Sequence, residues 1–120
     1  MQDKHDPWRR VALALAFFTL LPSGAEAGDV TAGRIKAVAA CNVCHGRLGI
    51  AVMPTAANLA GQSADYLTAQ LRNFRNGKRQ HEVMSVIAAQ LKDGEIDDLA
   101  AWFSSIQVEV KEPAKPAANP

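Results

Sequence analysis

The stretch ACNVCHGRLG, residues 40–49, contains Cys41 and Cys44, the only two cysteines of the chain, and His45 directly after the second one. Two thiols at this spacing are compatible with four kinds of chemistry: a disulfide, a thiol redox pair, part of a zinc site, or covalent attachment of a haem. The histidine and the surrounding chain indicate which of the four applies.

Three of these four alternatives agree poorly with the chain. A Cys41–Cys44 disulfide closes a very small loop and stabilises little through chain entropy. A thioredoxin-type pair usually follows a strand, and no strand pattern precedes Cys41. A structural zinc site needs four ligands, and the adjacent Cys44 and His45 are poorly placed for one tetrahedron. The sequence therefore favours the haem.

Haem attachment gives a role to both cysteines and to the histidine of this stretch. In Cys-x-x-Cys-His each thiol adds across one haem vinyl group, and Nε2 of the histidine becomes the proximal iron ligand. Aromatic residues make up only 6% of the chain, so a large flat apolar cofactor would complete a core that lacks large side chains. The sequence predicts one haem c, covalently bound at Cys41 and Cys44, with its iron bound by His45.

Composition limits the other possibilities. With 120 residues the chain forms one domain at most, and 48% hydrophobic and 21% charged residues are typical of a globular protein. The formal net charge of +1 is too balanced for a nucleic-acid binder, which usually has a large basic excess.

The first 27 residues have the layout of a secretory signal peptide. Basic residues up to Arg10 precede an uncharged apolar run over residues 11–21, and the small residues Ala25 and Ala27 form a small-x-small motif that predicts cleavage after Ala27. The alternative is a retained anchor, but so short a run cannot cross a hydrocarbon core of about 30 Å. We therefore expect residues 1–27 to be removed, leaving a periplasmic chain without a transmembrane span.

Hydrophobic periodicity predicts helices and no strand in the mature chain. The predicted helices cover residues 30–44, 64–76, 86–91 and 94–106; residues 46–62 form a loop, residues 28–107 the domain, and residues 108–120 a flexible tail. Asp29, Ser63 and Asp93 are the predicted N-caps, and Gly77 is the predicted stop after the second helix.

Apolar faces follow from the same periodicity. In the first helix the predicted apolar stripe is Ile35, Val38 and Ala39. In the last helix, the residues predicted to share one apolar face are Ile96, Leu99, Ala100, Phe103 and Ile106.

A six-coordinate haem needs a second axial ligand, and three residues are candidates. Met53 follows His45 by only eight residues, which is too near for the chain to reach the opposite haem face. Met84 is 39 residues away and sits in a polar stretch that gives no other reason for a methionine. His81 would give bis-histidine ligation and a lower potential, whereas methionine raises the potential. The sequence favours Met84 over His81.

The stretches CNVCHG, NLAGQSADYLTAQLRNFRNGKR and LKDGEIDDLAAWF, with Met84 between the last two, resemble class I bacterial cytochromes c. The resemblance is to the periplasmic type related to single halves of two-haem cytochromes, and it covers nearly all of residues 29–107. It implies an all-α cytochrome c fold, with three main helices and a short helix wrapped around one covalently attached haem. Its thioether sites fall on Cys41 and Cys44.

The same resemblance implies the axial ligands His45 and Met84. It also implies that Gly33 meets Leu99 and Trp102 where the first and last helices cross.

One position departs from the family pattern. Such cytochromes commonly have a proline twelve residues after the ligand histidine, and its carbonyl accepts the histidine Nδ1–H bond. Here that position is Ala57. A backbone carbonyl does not need a proline ring, so we expect the bond to persist in a less rigid loop.

These expectations point to a single-electron carrier that exchanges electrons with redox partner proteins and is not itself an enzyme. The alternative is the cytochrome subunit of a redox enzyme, such as a flavocytochrome sulfide dehydrogenase or an oxidase. A haem enzyme or gas sensor with open iron is a third class, disfavoured because its Cys-x-x-Cys-His generally lies near the C-terminus. Four basic residues near Met84 either steer an acidic partner or are ordinary solvated positions: Arg72, Arg75, Lys78 and Arg79.

Overall fold

The computed structural model describes residues 28–113, and within them every regular element is a helix. The helices are α1 (Val30–Ala40), α2 (Asn42–His45), α3 (Ala64–Arg75), α4 (Met84–Ala89) and α5 (Asp93–Ser105). The all-α prediction is confirmed, with three main helices and short additional ones. The predicted signal peptide, and the tail from residue 114 onwards, lie outside the described residues.

The first helix begins as predicted but buries a different face. The Asp29 carboxylate accepts hydrogen bonds from the N–H groups of Thr31 and Ala32 at 2.7 and 3.0 Å and so caps α1. The buried residues of α1 are Gly33 and Ala37. The predicted stripe of Ile35, Val38 and Ala39 is wrong, since all three are exposed, Ile35 by 67%.

The crossing of α1 and α5 explains this difference. A methyl group at Gly33 would collide with the Asp98 carbonyl oxygen and would lie 2.9 Å from Cβ of Trp102. The two backbones can therefore approach each other only through a glycine, and the small face of α1 turns inward. The expected crossing at Gly33 and Trp102 is confirmed, although the nearest atoms are those of Asp98 and Trp102 and not Leu99.

Polar contacts fasten the same crossing. The Asp29 N–H donates to Oδ1 of Asp98 at 2.7 Å, and Lys36 pairs with Glu95 at 2.8 Å. The Glu95 carboxylate also accepts the Lys92 N–H at 2.9 Å at the start of α5. The predicted cap Asp93 is instead the first residue of α5, so that expectation is wrong, and its carboxylate pairs with Arg75 at 2.6 Å.

The core is small and is dominated by α5. The predicted apolar face is confirmed: Ile96, Leu99, Ala100 and Phe103 are buried, and Ile106 packs against them half-buried. Ile96 and Leu99 are the largest side chains that are almost completely buried in the described part of the chain.

The third helix and the start of α4 position the region around Met84. Oγ of Ser63 accepts the Tyr66 N–H at 3.2 Å, and α3 is followed by Gly77 at φ 73°, as predicted for a cap and a stop. The short helix α4 begins at Met84, two residues before the predicted helix, so Met84 lies on a helix and not in the loop. Among residues 28–113 we find no helix with the length and apolarity needed to cross a bilayer.

Candidate haem-binding site

The two thiols and the imidazole are brought together by one short piece of helix. Cys41 follows α1 and precedes α2; its N–H donates to the Ala37 carbonyl at 2.8 Å, and its own carbonyl accepts the His45 N–H at 2.9 Å. Both thiols are free and half-buried, and His45 is 8% exposed. Because α1 is held against α5, this turn has a fixed position relative to the core.

The Cys41 thiol is in an environment that opposes ionisation. Burial raises its pKa to about 11, against a smaller lowering effect from Lys36. Redox-active cysteines have a lowered pKa, since the thiolate is the reactive form. A thiol redox pair is therefore poorly supported by this site.

A protein-only metal centre is poorly supported as well. Within the described residues there is no group of three or more His, Cys, Asp or Glu side chains that could hold a metal ion. A structural zinc site needs four such ligands.

His45 has a fixed orientation. Its Nδ1 lies 2.7 Å from the carbonyl oxygen of Ala57, as the sequence predicts for this position even without a proline. A carbonyl only accepts hydrogen bonds, so Nδ1 carries the proton and Nε2 keeps its lone pair. Donating the second ring N–H to a carbonyl is the usual arrangement for a metal-ligating histidine.

The loop that supplies the Ala57 carbonyl is folded onto itself and onto α5. The Gly49 carbonyl accepts the N–H groups of Leu59 and Ala60 at 2.7 and 3.1 Å, and Gly61 donates to the Phe103 carbonyl at 2.9 Å. Gly49 has φ 74°, and a methyl group there would lie 2.8 Å from Cδ1 of Phe103. A glycine is thus required in this loop for both its conformation and its packing.

The three candidates for the second axial position lie in different surroundings. Met84 is half-buried at the start of α4, whereas Met53 is 43% exposed in the loop after His45. The helix α4 packs on α3, and α2 packs on α1. Within the described residues α2 and α4 are not one of the extensively packed helix pairs.

His81 is exposed, and its imidazole performs a task that the sequence did not reveal. Its Nδ1 accepts the N–H groups of Val83 and Met84 at 3.2 and 3.3 Å. Sequence rules for helix caps favour Ser, Thr, Asp and Asn, so they do not identify a histidine in this role. In contrast to His45, the Nδ1 of His81 faces donors and carries no proton.

Uncovered apolar side chains indicate what the site can hold. Thirteen large apolar residues are exposed in the described part of the chain, whereas five large apolar residues are buried there. Five of the exposed residues cluster between residues 43 and 53: Val43, Leu48, Ile50, Val52 and Met53. Exposed apolar side chains so near in sequence to two free thiols and an imidazole fit a covalently attached, flat apolar group of the haem type.

The basic residues near Met84 are partly neutralised. Arg72 pairs with Asp97 at 3.1 Å, and Arg75 pairs with Asp93 at 2.6 Å while donating to the Leu91 carbonyl at 3.1 Å. These contacts tie α3 to α5, so two of the four residues of the basic cluster have structural partners and are less available for steering a partner.

Comparison with known proteins finds cytochromes c and electron acceptors of thiosulfate dehydrogenase. The chain is 39% identical over 84 residues to cytochrome c4 of Pseudomonas aeruginosa, covering 70% of this chain and 41% of the relative. It is 40% identical over 82 residues to cytochrome c-554(548) of Halomonas halodenitrificans, covering 66% of this chain and 98% of the relative. It is also 37% identical over 116 residues to the thiosulfate dehydrogenase electron acceptor of Thiomonas intermedia, covering 95% of this chain and 50% of the relative.

The coverage differs between these relatives. The chain spans 41% of the length of the two cytochromes c4 from Pseudomonas aeruginosa and Thiocapsa roseopersicina, and nearly all of cytochrome c-554(548). No protein-family model matches the chain.

Proposed function

The chain belongs to the class I c-type cytochromes, and on this basis we propose that it is a single-electron carrier whose haem c is held by Cys41, Cys44, His45 and Met84. Proteins of this class are electron-transfer proteins with a covalently bound haem c. The observation that carries the residue assignment is the 2.7 Å contact between Nδ1 of His45 and the Ala57 carbonyl, because a proton on Nδ1 leaves the Nε2 lone pair of the neutral ring available to bind iron.

Each of these residues has a separate task. Cys41 and Cys44 supply the thiols for two thioether bonds, and His45 supplies the proximal nitrogen with its ring orientation fixed by Ala57. Met84 supplies a soft thioether, which favours ferrous iron and raises the reduction potential. The haem itself supplies the one-electron chemistry. If His45 and Met84 both bound the iron, the chain would leave no position on it for a substrate.

The hydrogen bonds of the two histidines support Met84 over His81 as the second axial ligand. A histidine bound to iron through Nε2 must carry its remaining proton on Nδ1, where it acts as a donor. Nδ1 of His45 faces an acceptor, but Nδ1 of His81 faces two N–H donors. Binding through Nε2 of His81 would therefore cost both of the hydrogen bonds that its Nδ1 accepts.

The location and partners follow from the same proposal. The protein acts in the periplasm after removal of residues 1–27, and it exchanges electrons with proteins that dock beside the haem. The signal-peptide pattern of the sequence supports this location. Because two of the four basic residues near Met84 have acidic partners within the chain, we expect only a weak dependence of docking on salt.

The axial assignment is tested by comparing Met84→Ala with Met53→Ala in the purified holoprotein. Ligation of ferric iron by methionine gives a weak near-infrared charge-transfer band. We expect the wild type and Met53→Ala to show this band and Met84→Ala to lack it. A wild-type spectrum without the band, together with ready binding of carbon monoxide, would contradict the carrier function.

A dehydrogenase is a candidate electron donor. The Thiomonas intermedia relative is named as an electron acceptor of thiosulfate dehydrogenase, which favours a role as the acceptor for, or cytochrome subunit of, such an enzyme. Reduction of the ferric holoprotein by purified thiosulfate dehydrogenase, followed at the α-band with and without thiosulfate, tests this candidate. Absence of thiosulfate-dependent reduction would leave the carrier function intact and exclude this donor.

A further inference from the structure

We propose that His81 is a positioning residue for Met84: its imidazole fixes the backbone from which the thioether is presented to the iron. This inference rests on the proposed role of Met84 as an axial ligand. In this role His81 does not bind the iron, and its Nδ1 accepts backbone hydrogen bonds at the start of α4.

The contacts around His81 form a reciprocal cap. Nδ1 accepts the N–H groups of Val83 and Met84 at 3.2 and 3.3 Å, while Oγ of Ser85 accepts the His81 N–H at 3.0 Å. The Ser85 N–H also donates to the His81 carbonyl at 3.0 Å, so a hydrogen-bonded turn from His81 to Ser85 leads into α4, whose own N-cap residue is Val83. The N–H groups two and three residues after a cap are the ones that a capping side chain normally satisfies.

The imidazole is itself held in place by α3. Its ring meets the ring of Phe74 at a centroid distance of 6.5 Å and an interplanar angle of 76°. The guanidinium of Arg79 lies 4.6 Å from the centroid of the Phe74 ring, and it donates to Oε1 of Gln70 at 2.8 Å. The cap is therefore connected to a long helix, and the start of α4 is linked to α3 through His81.

Loss of this cap would affect Met84 more than any other residue of α4. The helix α4 has only six residues, and so short a helix has little stability of its own. Without a partner for its N–H groups the first turn of α4 would fray, and Met84 is its first residue. A frayed backbone would let the thioether leave the iron more often, although the fold of the other helices would be unaffected.

The test measures how readily external imidazole displaces the methionine from the ferric holoprotein, with the near-infrared band as the readout. His81→Ala removes the capping acceptor, whereas His81→Asn retains one. Gln80→Ala, at the exposed preceding position, is the matched control. We expect His81→Ala to bind imidazole about fivefold more tightly, the equivalent of losing a helix cap of about 1 kcal/mol. His81→Asn and Gln80→Ala should stay within about twofold of the wild type.

The outcomes separate this inference from the proposed function. If the wild type shows the methionine band and Met84→Ala loses it, the axial assignment stands. Unchanged imidazole affinity in His81→Ala would then overturn the positioning role alone, and so would a His81→Asn variant that behaves like His81→Ala. A wild type with a bis-histidine spectrum that His81→Ala converts to another form would overturn both the axial assignment and the positioning role.

Discussion

The two sides of the candidate haem site are held in contrasting ways. On the His45 side, the motif, the Ala57 carbonyl and the loop up to Gly61 lie within about twenty residues and bond mainly to one another. On the Met84 side, the ligand candidate begins a six-residue helix that depends on His81 and on Phe74 from α3. The imidazole of His45 is thus oriented by a carbonyl twelve residues away, whereas the backbone of Met84 is held by a side chain three residues away that packs on α3.

Removing the covalent attachment should have the largest effect, because it affects both sides together. We expect the double variant Cys41→Ala, Cys44→Ala to lose haem and most of its helicity, since the described part of the chain buries few large apolar side chains. Far-UV circular dichroism and intact-mass measurement check this. Asn42→Ala, at a polar position between the cysteines, should retain both haem and helicity; a native-like spectrum in the double variant would contradict the expectation.

Two glycines with nearly the same backbone conformation allow the two sides to be compared directly. Gly49 and Gly77 have φ 74° and 73°, but a methyl group at Gly49 would crowd Phe103, whereas nothing lies within 4 Å at Gly77. We expect Gly77→Ala to lower the free energy of unfolding by about 1 kcal/mol through strain alone. Gly49→Ala should lower it by about 3 kcal/mol because overpacking adds to the strain.

Denaturant unfolding of the two holoproteins measures this difference. Equal losses in the two glycine variants would show that the loop after His45 is no more tightly packed than the segment before Met84.

The alanine that replaces the usual proline gives a smaller effect. Ala57→Pro should raise the free energy of unfolding by about 0.5 kcal/mol by restricting the unfolded chain, while its carbonyl still accepts the His45 bond. Ala56→Pro is the matched control, because it removes the N–H that donates to the Met53 carbonyl at 3.1 Å and should be destabilising. Thermal unfolding of the Ala57→Pro and Ala56→Pro variants measures both effects. If both variants were more stable than the wild type, the hydrogen bond of the Ala56 N–H would contribute nothing to stability.

Acid dependence should give the smallest effect, on the Met84 side. The hydrogen bond from the Arg75 side chain holds the pKa of Asp93 below its ordinary value of 3.8. The folded state therefore binds this proton less readily than the unfolded state, so the contribution of Asp93 is present above about pH 4 and disappears as the pH falls through the lowered pKa.

The Asp93→Asn variant should accordingly show a shallower loss of stability below about pH 4 than the wild type. The effect is small because the carboxylate is exposed and screened by solvent. Asp65→Asn, at an acidic position outside the ion pairs of the described residues, is the control. Superimposable acid-unfolding curves for wild type and Asp93→Asn would show that ionised Asp93 does not stabilise the fold.

The sequence correctly predicted those structural features whose interacting groups are close along the chain. The caps at Asp29 and Ser63, the stop at Gly77 and the apolar face of α5 follow from patterns a few residues long, and the structure has all of them. The contact between His45 and the Ala57 carbonyl was expected from the resemblance to class I cytochromes c. Short-range hydrogen bonding and side-chain periodicity are properties of local sequence.

The predictions that were wrong concern which part of the fold a helix face or a side chain contacts. Periodicity placed Ile35 and Val38 of α1 inward, but the close approach at Gly33 turned the smaller face towards α5. Asp93 matched the rule for a cap, yet its carboxylate pairs with Arg75 on α3. A helix pattern records how apolar residues are spaced, and it contains no information about how near the neighbouring backbone lies.

The amino-acid sequence by itself determined the all-α class, the attachment motif and the candidate axial residues, because these depend on residue type and on spacing along the chain. The Nδ1–H bond of His45 was expected from the resemblance, and only the tertiary structure decided that His81 uses the same ring atom as an acceptor. The physical reason is that the role of an imidazole depends on whether a donor or an acceptor faces each nitrogen. For these two histidines that is set by the folding of the chain around each ring.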